Sequence, residues 1–139
     1  MLLLSLQRPD LIVDVLIKEM HMFSVYQFSL GRNAADAVNT LGWDDAKKFH
    51  PEVAIHQDVL FTGGSEKFES WMGRHYKMVG QFDVADLNAV FHDGNVGERP
   101  DGMRSISIGD IIVDESTGDA WMVDFDGFNV INVYGLEAA

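Results

Sequence analysis

Residues 105–128 read SISIGDIIVDESTGDAWMVDFDGF, and the fold turns on this stretch. Ser105, Ile106, Ser107 and Ile108 alternate polar and apolar, which is the period of a strand with one wet face. Gly109-Asp110 interrupts the alternation before Ile111-Ile112-Val113, a β-branched run suited to a buried strand. Asp114-Glu115-Ser116-Thr117-Gly118-Asp119 is built from turn-forming residues, and Ala120-Trp121-Met122-Val123-Asp124 follows as a second apolar run. Two strand-like runs about a short polar turn predict a β-hairpin. Asp126-Gly127 predicts another turn and residues 128–134 a further strand.

Upstream, Phe23-Ser24-Val25-Tyr26-Gln27-Phe28-Ser29-Leu30 reads as a strand ending at Gly31. Arg32 or Asn33 opens a helix through Ala34, Ala37, Val38 and Leu41, with Gly42 as its stop. Asp44 is positioned to cap a short helix over residues 45–49 that Pro51 ends. Residues 53–61 fit helix and strand equally. Residues 62–65 read as a loop, residues 67–71 as one helical turn, and residues 74–82 as a strand. Asp83 is placed to cap a helix whose Val84, Leu87, Val90 and Phe91 form one apolar stripe. Residues 94–102 read as a polar loop. Helices come early and strands late. The expected fold is therefore α+β: a small, mainly antiparallel sheet with a C-terminal hairpin or meander and two to four short helices packed on it.

The 139 residues suit one domain, taken as residues 22–139. Apolar residues make up 47%, enough for a packed core rather than a disordered acidic tail. Residues 1–21 are set apart as an N-terminal extension. Its Leu-rich opening is too short to span a bilayer and lacks the basic segment and cleavage site of a secretory signal. From Pro9 and Asp10 the pattern turns helical through Leu11, Ile12, Val15 and Leu16. This segment is a candidate self-association arm, or it derives from an upstream start codon. The expected location is cytoplasmic.

Asp plus Glu number 22 against 10 Lys plus Arg, a formal charge of −12. The excess lies late: residues 83–139 hold twelve acids and two bases, Arg99 and Arg104. A chain so poor in cations is unsuited to gripping nucleic-acid phosphates, and a bilayer is not an expected partner either. Zero cysteines exclude disulfides, thiolate zinc sites and cysteine nucleophiles. Asp110, Asp114, Glu115, Asp119, Asp124 and Asp126 cluster around the hairpin. A calcium loop fails on spacing, because Gly118 is the fifth residue from Asp114 and Phe125 the twelfth, where the EF-hand needs Gly sixth and Glu last. Turn geometry alone favours Asp and Gly at such places. The histidines His21, His50, His56, His75 and His92 show no metal-ligand spacing. Gly63-Gly64-Ser65-Glu66-Lys67 lacks P-loop spacing, and no G-x-S-x-G elbow occurs. Asp124 and Asp126 could pair as hydrolase carboxylates, but an i, i+2 pair is ordinary on an exposed strand. Trp43, Trp71, Trp121 and nine phenylalanines fit a core better than a base-stacking platform, which needs a cationic groove.

The C-terminal half resembles the YodL-like domain of small bacterial, phage and mobile-element proteins. The residues that carry the likeness are Asp86-Leu87-Asn88-Ala89-Val90-Phe91, the run from Ser105 to Val113, Ala120–Asp124 and Gly127-Phe128, with Val25-Tyr26-Gln27 as a looser first strand. It covers residues 83–131 well. The resemblance implies a small accessory protein and brings no catalytic residue with it. Charge and resemblance together lead to the expectation of a non-enzymatic phage or mobile-element protein, without metal or cofactor. Its expected partner is a host protein with a basic, nucleic-acid-binding surface, contacted by the six carboxylates named above, as in an anti-defence inhibitor. Two alternatives stand beside it: a phage structural component assembled through residues 1–21, and a metal-assisted hydrolase using Asp110, Asp114, Asp124 or Asp126.

Overall fold

A computed structural model describes residues 21–132. Strand β1 (His21–Phe28) leads into helix α1 (Arg32–Leu41), a single turn α2 (Trp43–Ala46) and α3 (Pro51–Ile55). A π-helical segment (His56–Gly63) continues α3, and 3-10 turns follow at Gly64–Lys67 and Ser70–His75. Then come β2 (Tyr76–Val84), α4 (Leu87–Val96), β3 (Ile111–Asp114), β4 (Ala120–Asp124) and β5 (Gly127–Val130). The five strands form one antiparallel sheet in the order β2-β1-β3-β4-β5. The fold is thus small α+β, as the sequence led us to expect.

The sheet is covered on both faces, which explains why β1 is buried from Phe23 through Phe28 without a wet side. Tyr26, Phe28, Tyr76, Ile111 and Met122 of the sheet pack on one face against Ile55, Val59 and Met72 from the helical segment between β1 and β2. Phe23, Val25, Ile112 and Val123 point to the other and meet Val90 of α4 with Met103 and Ile106. Val25, Ile111 and Ile112 are fully buried. Each contributes on the order of 1.5–3 kcal/mol by leaving water.

Several expectations need correction. The residue that caps α4 is Asp86, whose carboxylate accepts from the Ala89 amide at 2.9 Å, and not Asp83. Asp83 remains in β2 opposite Met22, because Phe82 and Val84 beside it pack into the second core. Residues 94–102 are not all loop. Helix α4 continues to Val96, with Gly94 so close to Ile106 that a Cβ there would lie 2.3 Å from its Cδ1. Pro51 does not stop a helix but starts α3, where its missing N–H costs nothing. Residues 53–61 are helical, and Gly64 and Ser65, expected in a loop, belong to a 3-10 turn.

Residues 105–108 form no strand despite their alternation. The pairing of β3 with β1 ends at Tyr26, where Gln27 turns its side chain to the Arg104 backbone, and the burial rhythm alone survives: Ile106 is buried, while Ser105 and Ser107 are exposed. β5 is observed over Gly127–Val130; Tyr134 lies outside the described residues, as do the first twenty residues and the helix expected among them. No helix among the described residues is long and apolar enough to cross a membrane.

Candidate functional site

Two hollows meet at His56 and Leu60, on the π-helical segment beside the sheet. The first, of about 450 Å³, is lined by Gln27, Phe28, Lys77, Val79 and Arg104 among others. The second, of about 600 Å³, is lined by Phe61, Phe91, Ile106, Ile108, Val123 and Asp124 among others. A smaller hollow of about 280 Å³ adjoins the second, sharing Phe91, Val123 and Asp124 and adding Phe125 and Phe128. Volumes of this size suit small ligands or the anchoring side chains of a protein partner.

The wall between them is set by local packing. His56 contacts the rings of Trp43 at 4.9 Å and Phe61 at 4.7 Å between centroids. Burial lowers its pKa, its own backbone opposes this, and the nearby Arg104 charge lowers it further. The imidazole is therefore largely neutral at pH 7. Its Nδ1 is buried without a well-formed hydrogen bond among the described residues. Leu60 approaches Gly109 so closely that a Cβ there would sit 1.8 Å from its Cδ2, and Gly109 also has a left-handed φ of 94°. Both features favour glycine at this position.

The six carboxylates do not gather on one outward face, as the sequence reading supposed. A hairpin places its connecting turn at one end and its outer strand ends at the other. Four residues of β3 separate the two by roughly 13 Å. Asp114, Glu115 and Asp119 lie at the turn; Asp110, Asp124 and Asp126 lie at the far end. Two of the six are also interior: Asp110 is 4% exposed and Asp114 5%.

Most of them make bonds within the fold. Asp114 closes the turn, accepting from the Ser116 amide at 2.9 Å through Oδ1. Its Oδ2 lies 3.0 Å from His21 Nδ1, poorly aligned for a hydrogen bond; the contact becomes an ion pair when that imidazole is protonated. Glu115 accepts from Ser24 Oγ, and Ser24 in turn accepts from Gln81 Nε2. Asp124 ties β4 to the 3-10 turn at Gly64–Lys67. Its Oδ2 accepts from the Ser65 amide at 2.9 Å, Ser65 Oγ at 2.7 Å and Asn129 Nδ2 at 3.0 Å, while Oδ1 takes the Phe125 amide. Burial pushes its pKa upward, but these four bonds together outweigh that and bring it down to about 2. Such a group is a poor proton acceptor near neutral pH. Asp126 is exposed and accepts from Asn129 Nδ2.

Asp110 is the one carboxylate pushed the other way. Burial raises its pKa to about 6, against bonds from the Ser107 amide and Gln27 Nε2 and the Arg104 charge, which lower it. It does not line any of the three hollows. It acts behind the first one, where Gln27 Nε2 donates both to Asp110 Oδ2 and to the Arg104 carbonyl, each at 3.0 Å. The Arg104 amide returns a bond to Gln27 Oε1 at 3.0 Å. The Gln27 side chain thus pairs with the Arg104 backbone as a neighbouring strand would.

Gln27, His56, Phe61, Lys77, Phe91 and Arg104 define the hollows, and none of them was singled out for function from the sequence. They come from five separate stretches with no motif between them. Only Arg104, a rare base in an acidic half, carried a local signal. Among the described residues no group of three or more His, Asp or Glu is placed to hold a metal ion. Comparison of the chain with protein-family models, curated proteins and solved structures finds no match. Fold and site together define a small α+β domain with an aromatic-rimmed double hollow.

Proposed function

We propose that this domain is a non-enzymatic binding protein that docks an apolar, basic protein surface onto the aromatic hollow beside Asp124. One observation carries the reading. Phe61, Phe91 and Phe125 are 58%, 39% and 71% exposed, come from three different segments, and line adjoining hollows. Exposed aromatics in a concave patch are the usual anchors of a protein interface. Asp124 and Asp126 supply acidic groups at that patch, and the chain's charge of −12 favours fast encounter with a cationic partner. The YodL-like resemblance extends the proposal: the partner is a host protein whose nucleic-acid-binding surface is covered by this accessory protein of a phage or mobile element.

The test is affinity capture from bacterial lysate across a salt series, with wild type and Phe125→Asp side by side. Phe125 is exposed, so the substitution leaves the fold intact. The expected result is a partner whose retention falls as salt rises and falls again, by roughly 30-fold or more in affinity, on losing this anchor. A partner held equally by Phe125→Asp, or no salt-sensitive partner at all, overturns the reading. Charge reversal of Glu115 and Asp119, at the other end of the hairpin, should change the salt dependence but leave anchoring intact.

A further inference from the structure

The first hollow has a different character. Its lining holds Lys77, Arg104, His56 and Gln27 but no carboxylate, in a chain where acids outnumber bases by more than two to one. We propose that this hollow is a binding site for a small organic oxyanion, a phosphate or carboxylate group attached to an apolar body.

Arg104 is anchored through its backbone and one guanidinium bond, and Lys77 stands exposed on β2 beside it. Lys77 sits directly opposite Gln27 in the β1–β2 register, on the same face of the sheet. Gln27 in turn clamps the Arg104 backbone through two hydrogen bonds. Buried Asp110 holds Gln27 from behind, fixing the amide in that orientation. Arg104 spends one guanidinium nitrogen on the Phe28 carbonyl at 2.8 Å. A guanidinium has five N–H donors, so most remain for a ligand. Neither Lys77 nor Arg104 makes an ion pair among the described residues. Anchoring Arg104 before binding removes part of the ordering cost that weakens surface cations as anion sites.

The rest of the lining selects the body of the ligand. Phe28, Leu30, Leu60 and Val79 present apolar surface beside the cations. The space of about 450 Å³ exceeds what a bare inorganic anion fills. The neutral imidazole of His56 can offer one N–H or one lone pair, as the ligand requires. The net charge of the chain repels an anion from afar, yet that field is screened beyond about 10 Å in 0.1 M salt, whereas the two cations act at contact distance.

The experiment is a heteronuclear NMR titration of the whole chain with three probes at millimolar concentration: phenyl phosphate, benzoate and inorganic phosphate. Saturable shifts are expected at the amides of residues 27–30, 77–79 and 102–104 with phenyl phosphate, benzoate or both. The tighter of the two identifies the preferred headgroup. Inorganic phosphate should bind more weakly, lacking the apolar contact. Lys77→Gln, at an exposed position, should retain the wild-type spectrum elsewhere and weaken binding about tenfold. Arg104→Gln, which keeps the backbone bonds to Gln27, should weaken it at least as much. The proposal is overturned by the absence of saturable shifts at those residues, by unchanged binding in Lys77→Gln, or by inorganic phosphate binding as tightly as phenyl phosphate.

Discussion

Replacing Asp110 by Asn should stabilise the domain at neutral pH and flatten its pH dependence. Asp110 is 4% exposed, and its pKa rises from 3.8 to about 6 because burial penalises the charged form more than its bonds and the Arg104 charge favour it. A group that holds its proton more tightly when folded contributes stability that is fully present below pH 4. That contribution is lost as pH rises through 6, since between the two values the native state binds the extra proton. A displacement of about two units at 1.36 kcal/mol each puts the loss at about 3 kcal/mol above pH 7. Both donors that reach the carboxylate, Gln27 Nε2 and the Ser107 amide, use the same oxygen, Oδ2. An asparagine carbonyl oxygen can accept both, so the substitution removes the charge while keeping these bonds. The gain at pH 7.5 should be on the order of 1–3 kcal/mol, reduced by whatever the new NH₂ group lacks in partners, and should vanish or reverse near pH 4. Urea unfolding followed by tryptophan fluorescence from pH 4 to 8, on both proteins, measures the difference directly. If wild type gains stability relative to Asp110→Asn as pH rises through 6, the carboxylate is held ionised by its bonds, and the reasoning from burial fails.

Three further outcomes can be checked on the same footing. Tyr76→Phe removes the buried bond from the phenol to the Gly109 carbonyl at 2.8 Å and should cost about 1–3 kcal/mol by urea unfolding, because the carbonyl stays buried without that donor. Gly64→Ala should destabilise by about 2 kcal/mol or more: φ is 57° there, and the new Cβ would fall 2.2 Å from Asp124 Oδ1. Its signature is an Asp124 pKa that moves up from about 2 towards the ordinary carboxylate range, visible by carbon-detected NMR titration. Wild type should also lose stability as pH falls from 4 towards 2 through Asp124, and Ser65→Ala, which removes the 2.7 Å hydroxyl bond, should lessen that loss.

The local sequence determined those elements whose signals sit within a few residues of each other. The β3–β4 hairpin is the clearest case, with two apolar runs flanking six turn residues, and the α+β class follows from the order of helical and alternating segments. Strand β1 was legible for the same reason, though not that both its faces would be buried. What only the tertiary structure decided is which neighbour each segment obtains. Residues 105–108 alternate like a strand but pair with none of the five strands, and a glutamine side chain bonds Arg104 beside them. The helix cap falls on Asp86 rather than Asp83 because core contacts extend β2. The carboxylates looked like one face because they are close along the chain, yet a hairpin separates its turn from its outer ends by the length of a strand. The hollows join Gln27, His56, Lys77 and Arg104 across as many as 77 positions of sequence. No local pattern encodes that meeting. Strand order and helix packing bring these side chains together, through hydrophobic forces that have no direction of their own.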